Sequence, residues 1–327
     1  MFTSTWPITI DDVRAARQRI ARYLDPAPLR TYAPLDAAVG HGIRVLVKHE
    51  NHNPTNAFKV RNALSAMTLL SEDERRRGVI AATRGNHGQG LAYAGMLLGV
   101  PVTICAPRGN NPEKNAAMRG YGAELIEAGD DYDDALAEVE RLTAERGLVP
   151  IHGTNNPHVL AGAGTITLEI VEQAERLDAI VIAVGGGSQA VGALTVTHVL
   201  RPDVAVYAVQ AAGAPAIYES WKAGRMLTLD SAATFADGVA TRAAYAMTFP
   251  ALHAGLAGFV TVTDAEIADA LRLLLQATHT LVEGAGSVGL AGVRAMADAL
   301  AGQHVAIILS GGNIDAETLR RVVTNQI

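Results

Sequence analysis

Between residues 79 and 309, short apolar runs alternate with helix-patterned stretches, and that alternation leaves the chain few architectures. Val79-Ile80-Ala81-Ala82, Val102-Thr103-Ile104-Cys105 and Glu124-Leu125-Ile126 each precede a helical pattern, over about 87–98, from Pro112, and over about 131–146. A second series comprises Ala179-Ile180-Val181-Ile182-Ala183-Val184, Val204-Ala205-Val206-Tyr207-Ala208-Val209 and Val305-Ala306-Ile307-Ile308-Leu309. These runs are nearly continuous in apolar residues, as strands covered on both faces are. Strands this short, joined through helices, form parallel sheets by right-handed crossovers. Two series predict an α/β protein of two open twisted domains, each three layers deep, with a cleft between them.

Ahead of these series, residues 43–48 alternate as a further strand, and Thr9 caps a helix to about Leu24 with Asp11 and Asp12 in its first turn. The charged run Glu72-Asp73-Glu74-Arg75-Arg76-Arg77 stops at Gly78 and reads as a solvated helix end and a domain junction. The expected division is a large domain of 1–75 plus 151–327 and a small one of 76–150.

Composition narrows the function classes. A chain of 327 residues, 49% hydrophobic, can bury one large core or two modest ones, yet it has no apolar run long enough to span a bilayer. The net charge is −6 and the 27 basic residues are scattered, so no cationic stripe is available to a nucleic acid. The start, Met1-Phe2-Thr3-Ser4-Thr5-Trp6-Pro7, lacks the basic and apolar segments of a secretory signal. Cys105 is the only cysteine and ends an apolar run, which reads as a buried thiol in a reducing, cytoplasmic setting. The 32 glycines fall in short loops, a distribution that suits close backbone approach to a ligand.

Four polar loops carry the chemistry. In Glu50-Asn51-His52-Asn53-Pro54-Thr55-Asn56-Ala57-Phe58-Lys59, a turn becomes a helix over about 58–70 at Lys59. The helix's positive end and desolvation would lower the pKa of that amine, as a nucleophilic or Schiff-base lysine requires; the plain alternative is a solvated surface lysine. Gly185-Gly186-Gly187-Ser188 follows a buried strand and precedes a helix, so its amides and the Ser188 hydroxyl can converge on a phosphate, or the run is only a tight turn. It is not the spaced Gly-x-Gly-x-x-Gly dinucleotide pattern. Thr83-Arg84-Gly85-Asn86-His87-Gly88-Gln89 sits at a strand's carboxyl end, where open α/β sheets bind ligands, with amides that suit a carboxylate. There His87 reads as a helix-starting polar residue before a catalytic base. Ser310, in Ser310-Gly311-Gly312-Asn313, ends a buried strand with its hydroxyl free to enter the cleft.

In this order the four loops resemble the serine/threonine dehydratase and serine racemase group of fold-type II pyridoxal-phosphate enzymes, from about Thr9 to the C-terminus. The resemblance implies pyridoxal 5'-phosphate in the cleft, held covalently by Lys59, which then serves as the base. It further implies that Phe58 packs on the cofactor, Gly185, Gly186, Gly187 and Ser188 hold its phosphate, and Asn86 meets its ring hydroxyl. Gly238 and Glu283 match family positions beside the ring, while Ser310 faces the ring nitrogen. Phe58 could equally be plain core, and the glycines after Glu283 could serve helix packing.

By the same resemblance, Thr83, Arg84, Gly85, Asn86 and His87 grip the substrate carboxylate, the large domain binds cofactor, and the small domain moves. The implied reaction is β-elimination from a β-hydroxy amino acid such as threonine, serine or a 3-hydroxyaspartate, giving a 2-oxo acid and ammonia in a homodimer. A racemase or a β-replacement enzyme shares the fold, and a non-catalytic binding homologue is a further alternative. Two departures matter. Arg84 stands where racemases need a protonatable hydroxyl, so elimination is expected over racemisation; it either captures a second carboxylate or points to the surface. Gln210 and Ala214-Pro215-Ala216 stand where some relatives bind a cation, so no metal is expected. The acids Asp130, Asp131, Asp133 and Asp134 read as a helix start.

Overall fold

The computed structural model describes residues 5–130 and 132–327, the side chain of Asp133 apart. Met1 to Ser4, read above for a targeting signal, and Asp131, placed above at a helix start, lie outside them. The strands are β1 (Leu29–Thr31), β2 (Arg44–Lys48), β3 (Val79–Ala82), β4 (Val102–Ala106), β5 (Glu124–Glu127), β6 (Val149–Pro150), β7 (Ala179–Ala183), β8 (Ala205–Ala211), β9 (Gly258–Val262) and β10 (His304–Ile308). Six form one sheet in the order β1-β2-β10-β7-β8-β9, and four form another in the order β5-β4-β3-β6. Every pairing is parallel except β1 with β2.

Alternation of side chains builds the layers. Along β7 and β10, Ile180, Ile182, Ala306 and Ile308 enter one apolar cluster, whereas Ala179, Val181, Val305 and Ile307 enter the cluster on the opposite face. The smaller sheet divides in the same way, Val79, Ala81 and Ile104 to one side, Ile80, Ala82 and Cys105 to the other. Both sheets are therefore covered on both faces, which is why their central strands read as unbroken apolar runs.

Helix boundaries follow local chemistry. Thr9 caps the helix Ile10–Ile20 in a capping box with Asp12, and Ser71 does the same with Glu74 for the solvated helix Glu72–Arg77. Gly78 then turns at φ +86° into β3. Helix Lys59–Met67 joins the cluster beneath the four-stranded sheet through Val60, Ala63, Leu64 and Met67, alongside Ala16 and Ile20. It lies so close to helix Asn86–Leu98 that a Cβ on Gly90 would sit 2.8 Å from the Lys59 carbonyl. Among the described residues, no helix is long and apolar enough to cross a membrane.

Candidate active site

The carboxyl ends of parallel strands from both sheets open onto one cavity of about 590 Å³. Thr83 arrives from β3, Gly185 from β7 and Ser310 from β10, while the loop after β2 delivers Phe58 and Lys59. All fourteen residues singled out above line it: Phe58, Lys59, Thr83, Arg84, Gly85, Asn86, His87, Gly185, Gly186, Gly187, Ser188, Gly238, Glu283 and Ser310.

Lys59 is the first residue of its helix, and Phe58 precedes it with its ring 4.9 Å from Nζ. The Phe58 amide donates to the Ser310 carbonyl (3.0 Å), which ties the lysine segment to the end of β10. Nζ donates to the Gly153 carbonyl at 3.1 Å, and among the described residues no carboxylate lies within ion-pairing distance. Burial without a counter-charge lowers the pKa to about 8. Sequence reasoning credited the helix end as well; desolvation is the cause resolved here.

The triple-glycine bend is a backbone surface by steric necessity. A Cβ on Gly186 would fall 2.2 Å from Thr154 Oγ1, and one on Gly185 would fall 2.8 Å from the Gly238 carbonyl. Gly187 adopts φ +93° and stands at the N-cap of helix Ser188–Leu200, which no side chain caps. The helix's first N–H groups are thus left for an anion in the cavity.

Opposite lies a polar chain that the sequence did not disclose. Asn313 Nδ2 donates to Asn86 Oδ1 (2.8 Å), and Asn86 Nδ2 donates to Glu283 Oε1 (2.6 Å). Burial, and after it the Asp237 carboxylate, push the Glu283 carboxyl up to about 7 against the pull of Lys114 and the Asn86 amide. Lys114, on helix Pro112–Gly120, pairs with Asp237 and so spans from the four-stranded sheet's side to the segment beside Gly238. Burial lowers the Lys114 pKa, but Asp237 and Glu283 outweigh it and the net direction is up. Asp237 had a signal in its place beside Gly238 and Asn313 in its place in the Ser310 loop, whereas Lys114 and Thr154 had no distinctive spacing to betray them.

His87 lies in the first turn of helix Asn86–Leu98, where the sequence places a helix-starting polar residue. It is buried, its Nε2–H donates to the Ile151 carbonyl (3.0 Å), and burial with the nearby Lys59 charge depresses its pKa to about 3, so the ring is neutral. Arg84 is exposed at the cavity, and Cys105 is a buried thiol whose pKa burial raises to about 11. Gln210 Oε1 accepts from the Ile217 and Tyr218 amides, so its side chain is occupied by helix Ala216–Ala223.

A desolvated amine and an uncapped helix start on one cavity define a site for a carbonyl compound with an anionic tail. Three cavity-lining residues also present buried atoms without protein partners, His87 Nδ1, Gln189 Oε1 and Glu283 Oε2, so polar contacts remain for a ligand to complete. The chain belongs to the family described as pyridoxal-phosphate dependent enzyme, whose model matches residues 20–311. Its cofactor is pyridoxal phosphate, and the residues present fit that group. The chain is 36% identical over 316 residues to an L-threonine ammonia-lyase of Thermotoga maritima, covering 97% of this chain and 78% of that one. It is 35% identical over 310 residues to an L-threo-3-hydroxyaspartate ammonia-lyase of a Pseudomonas species, covering 94% and 95% respectively. Among solved structures, serine racemase from Dictyostelium discoideum superposes with a TM-score of 0.88 at 32% identity, covering 94% of this chain and 99% of that one.

Proposed function

We propose that this lyase removes the β-hydroxyl and then the nitrogen of a β-hydroxy amino acid, with threonine, serine and a 3-hydroxyaspartate as candidates, yielding a 2-oxo acid and ammonia. The observation that carries the reading is Lys59, a desolvated amine with a pKa of about 8 on the cavity the glycine bend lines. The names of two relatives, one for threonine and one for 3-hydroxyaspartate, support ammonia-lyase chemistry.

When bound, the cofactor supplies an electron sink that makes the substrate's α-hydrogen acidic. Lys59 would hold it, the amides from Gly185 to Ser188 would receive its phosphate, and Asn86, fixed by Asn313 and Glu283, would meet its ring. Amides of the 83–87 loop bind the α-carboxylate. Once displaced by the substrate's amine, the Lys59 amine would take the α-proton and pass it to the departing β-hydroxyl, which leaves as water. The unsaturated amine left behind hydrolyses to the 2-oxo acid and ammonia. Ser310 offers a neutral hydroxyl where a carboxylate would hold a ring nitrogen charged, which favours elimination.

A second reading, racemisation, draws on the similarity to serine racemase. It needs a proton donor on the opposite face, and the guanidinium of Arg84 is a poor proton shuttle where a hydroxyl would serve. We therefore favour elimination. Units 1–75 plus 151–327 and 76–150 serve as cofactor-binding and mobile substrate-binding domains, and the protein works as a cytoplasmic homodimer.

Coupled 2-oxo acid detection with threonine, serine and 3-hydroxyaspartate tests the reading. The wild-type protein should turn over at least one of them, and Lys59→Ala should lose at least about 10²-fold in rate and no longer be labelled by borohydride in the presence of cofactor. Wild-type turnover retained in Lys59→Ala would defeat the proposal. Chiral analysis of recovered serine separates a racemase, and a sulfide acceptor separates a β-replacement enzyme.

A further inference from the structure

Arg84 presents to the cavity a charge that the reaction above does not use. Lys59, Arg84 and Lys114 line it together with the acids Asp237 and Glu283. Lys114 is spent on Asp237, and Glu283 is engaged by Asn86. Lys59 is the amine of the reaction just derived. Among the described residues, no carboxylate lies within 4.0 Å of the Arg84 guanidinium, and its side chain is exposed where the cavity opens.

Arg84 is also held in place. Its carbonyl accepts from Asn110 Nδ2 (3.1 Å), and the same amide donates to Asn115 Oδ1 (2.6 Å), so the loop after β4 braces the turn that presents it. On the other side, a Cβ on Gly85 would sit 2.9 Å from Lys114 Cδ, and Lys114 closes off the turn there. On the lyase reading the amides of this turn take the α-carboxylate that any amino acid has, which leaves the guanidinium unused by threonine or serine. Planar guanidinium matches a carboxylate with two parallel hydrogen bonds, a match that no neutral β-substituent repays.

We infer that Arg84 captures a second carboxylate, carried on the substrate's β-carbon, and so selects amino acids of the 3-hydroxyaspartate class over threonine and serine. The inference rests on the lyase reading above for the reaction and adds the substrate class.

The test compares kcat/KM for L-threo-3-hydroxyaspartate and L-threonine in the wild-type holoenzyme, Arg84→Gln and Arg84→Lys. The wild type should prefer the dicarboxylate, Arg84→Gln should lower that preference about 10- to 100-fold, and Arg84→Lys should retain part of it. A preference for threonine in the wild type, or a ratio that Arg84→Gln leaves unchanged, overturns the inference and leaves the lyase reading standing. Should the wild type turn over no β-hydroxy amino acid, the lyase reading fails instead, and calorimetry with malate against lactate decides the role of Arg84. Tighter malate binding that collapses toward the lactate value in Arg84→Gln supports carboxylate capture; equal affinities in both proteins refute it.

Discussion

At the scale of single residues, this site works by withholding water from groups that ordinarily have it. Lys59 and Glu283 are displaced in opposite directions by the same cause: desolvation penalises the charged form, which lowers an amine to about 8 and raises a carboxyl to about 7. Both then titrate close to neutrality, where a proton can be moved. For Glu283 the displacement is also a stability cost. Its folded pKa lies above the ordinary 4.5, so the folded state binds more protons between those values and stability falls as pH rises through them. The penalty approaches about 3 kcal/mol above neutrality. Glu283→Gln should therefore make the cofactor-free protein more stable than wild type at about pH 8, with the gain nearly gone at about pH 5, as read from urea denaturation at each pH. A constant gain at both would show that the carboxyl does not titrate as described.

Elements place those residues, and glycine is what lets them meet. The bend from Gly185 to Gly187 passes within contact of Thr154, Gly238 and Leu252, leaving no volume for side chains. Gly186→Ala forces a methyl group into Thr154 Oγ1 and must shift either the bend or the 152–155 loop. Cofactor affinity, measured by equilibrium dialysis, should fall at least about tenfold while the fold survives, since a displacement of a few tenths of an ångström at charged hydrogen bonds costs at least about 1.4 kcal/mol. Undiminished affinity would remove the bend from the cofactor site. The strands of this element set were legible where they are buried: β3 was read with its observed bounds, and β4, β7, β8 and β10 within two residues at either end. Three were missed. β1 and β9 lie on the edges of the larger sheet and β6 on the edge of the smaller, where a short half-covered strand needs no apolar run, and β6 is only Val149–Pro150.

For the whole molecule, a buried ionic knot behind Lys59 joins the layers that hold the two sheets. Arg61 donates to Glu50 through Nε (2.7 Å) and to Glu169 through Nη1 (2.7 Å), and Lys48 Nζ on β2 donates to Glu169 Oε2 (2.6 Å). Arg17, from helix Ile10–Ile20, reaches the same carboxylate at 2.5 Å. Glu169 rides on helix Pro157–Gln173, which sends Leu160 and Ile166 into the larger sheet's core and Val159 and Ala161 into the smaller one's. Burial raises its pKa, but Arg61 and Lys48 overcome that and the net direction is down. Its contribution is accordingly present above the ordinary carboxylate value and lost as pH falls through the lower folded one. Glu169→Gln should cost about 3 to 5 kcal/mol near neutrality, because it strands buried cations, and the gap to wild type should narrow in acid. Denaturation curves across that range check both statements. By itself the sequence determined the two parallel sheets, the order of the four loops and the lysine, since periodicity and turn chemistry are local and each is written in consecutive residues. Only the tertiary structure decided that His87 is neutral, that Asn313, Asn86 and Glu283 form one chain, that Lys114 reaches Asp237, and that Arg61 anchors the lysine helix from behind. Those depend on distances between segments far apart in the chain and on how much water is left between them, and neither quantity is encoded in any local pattern.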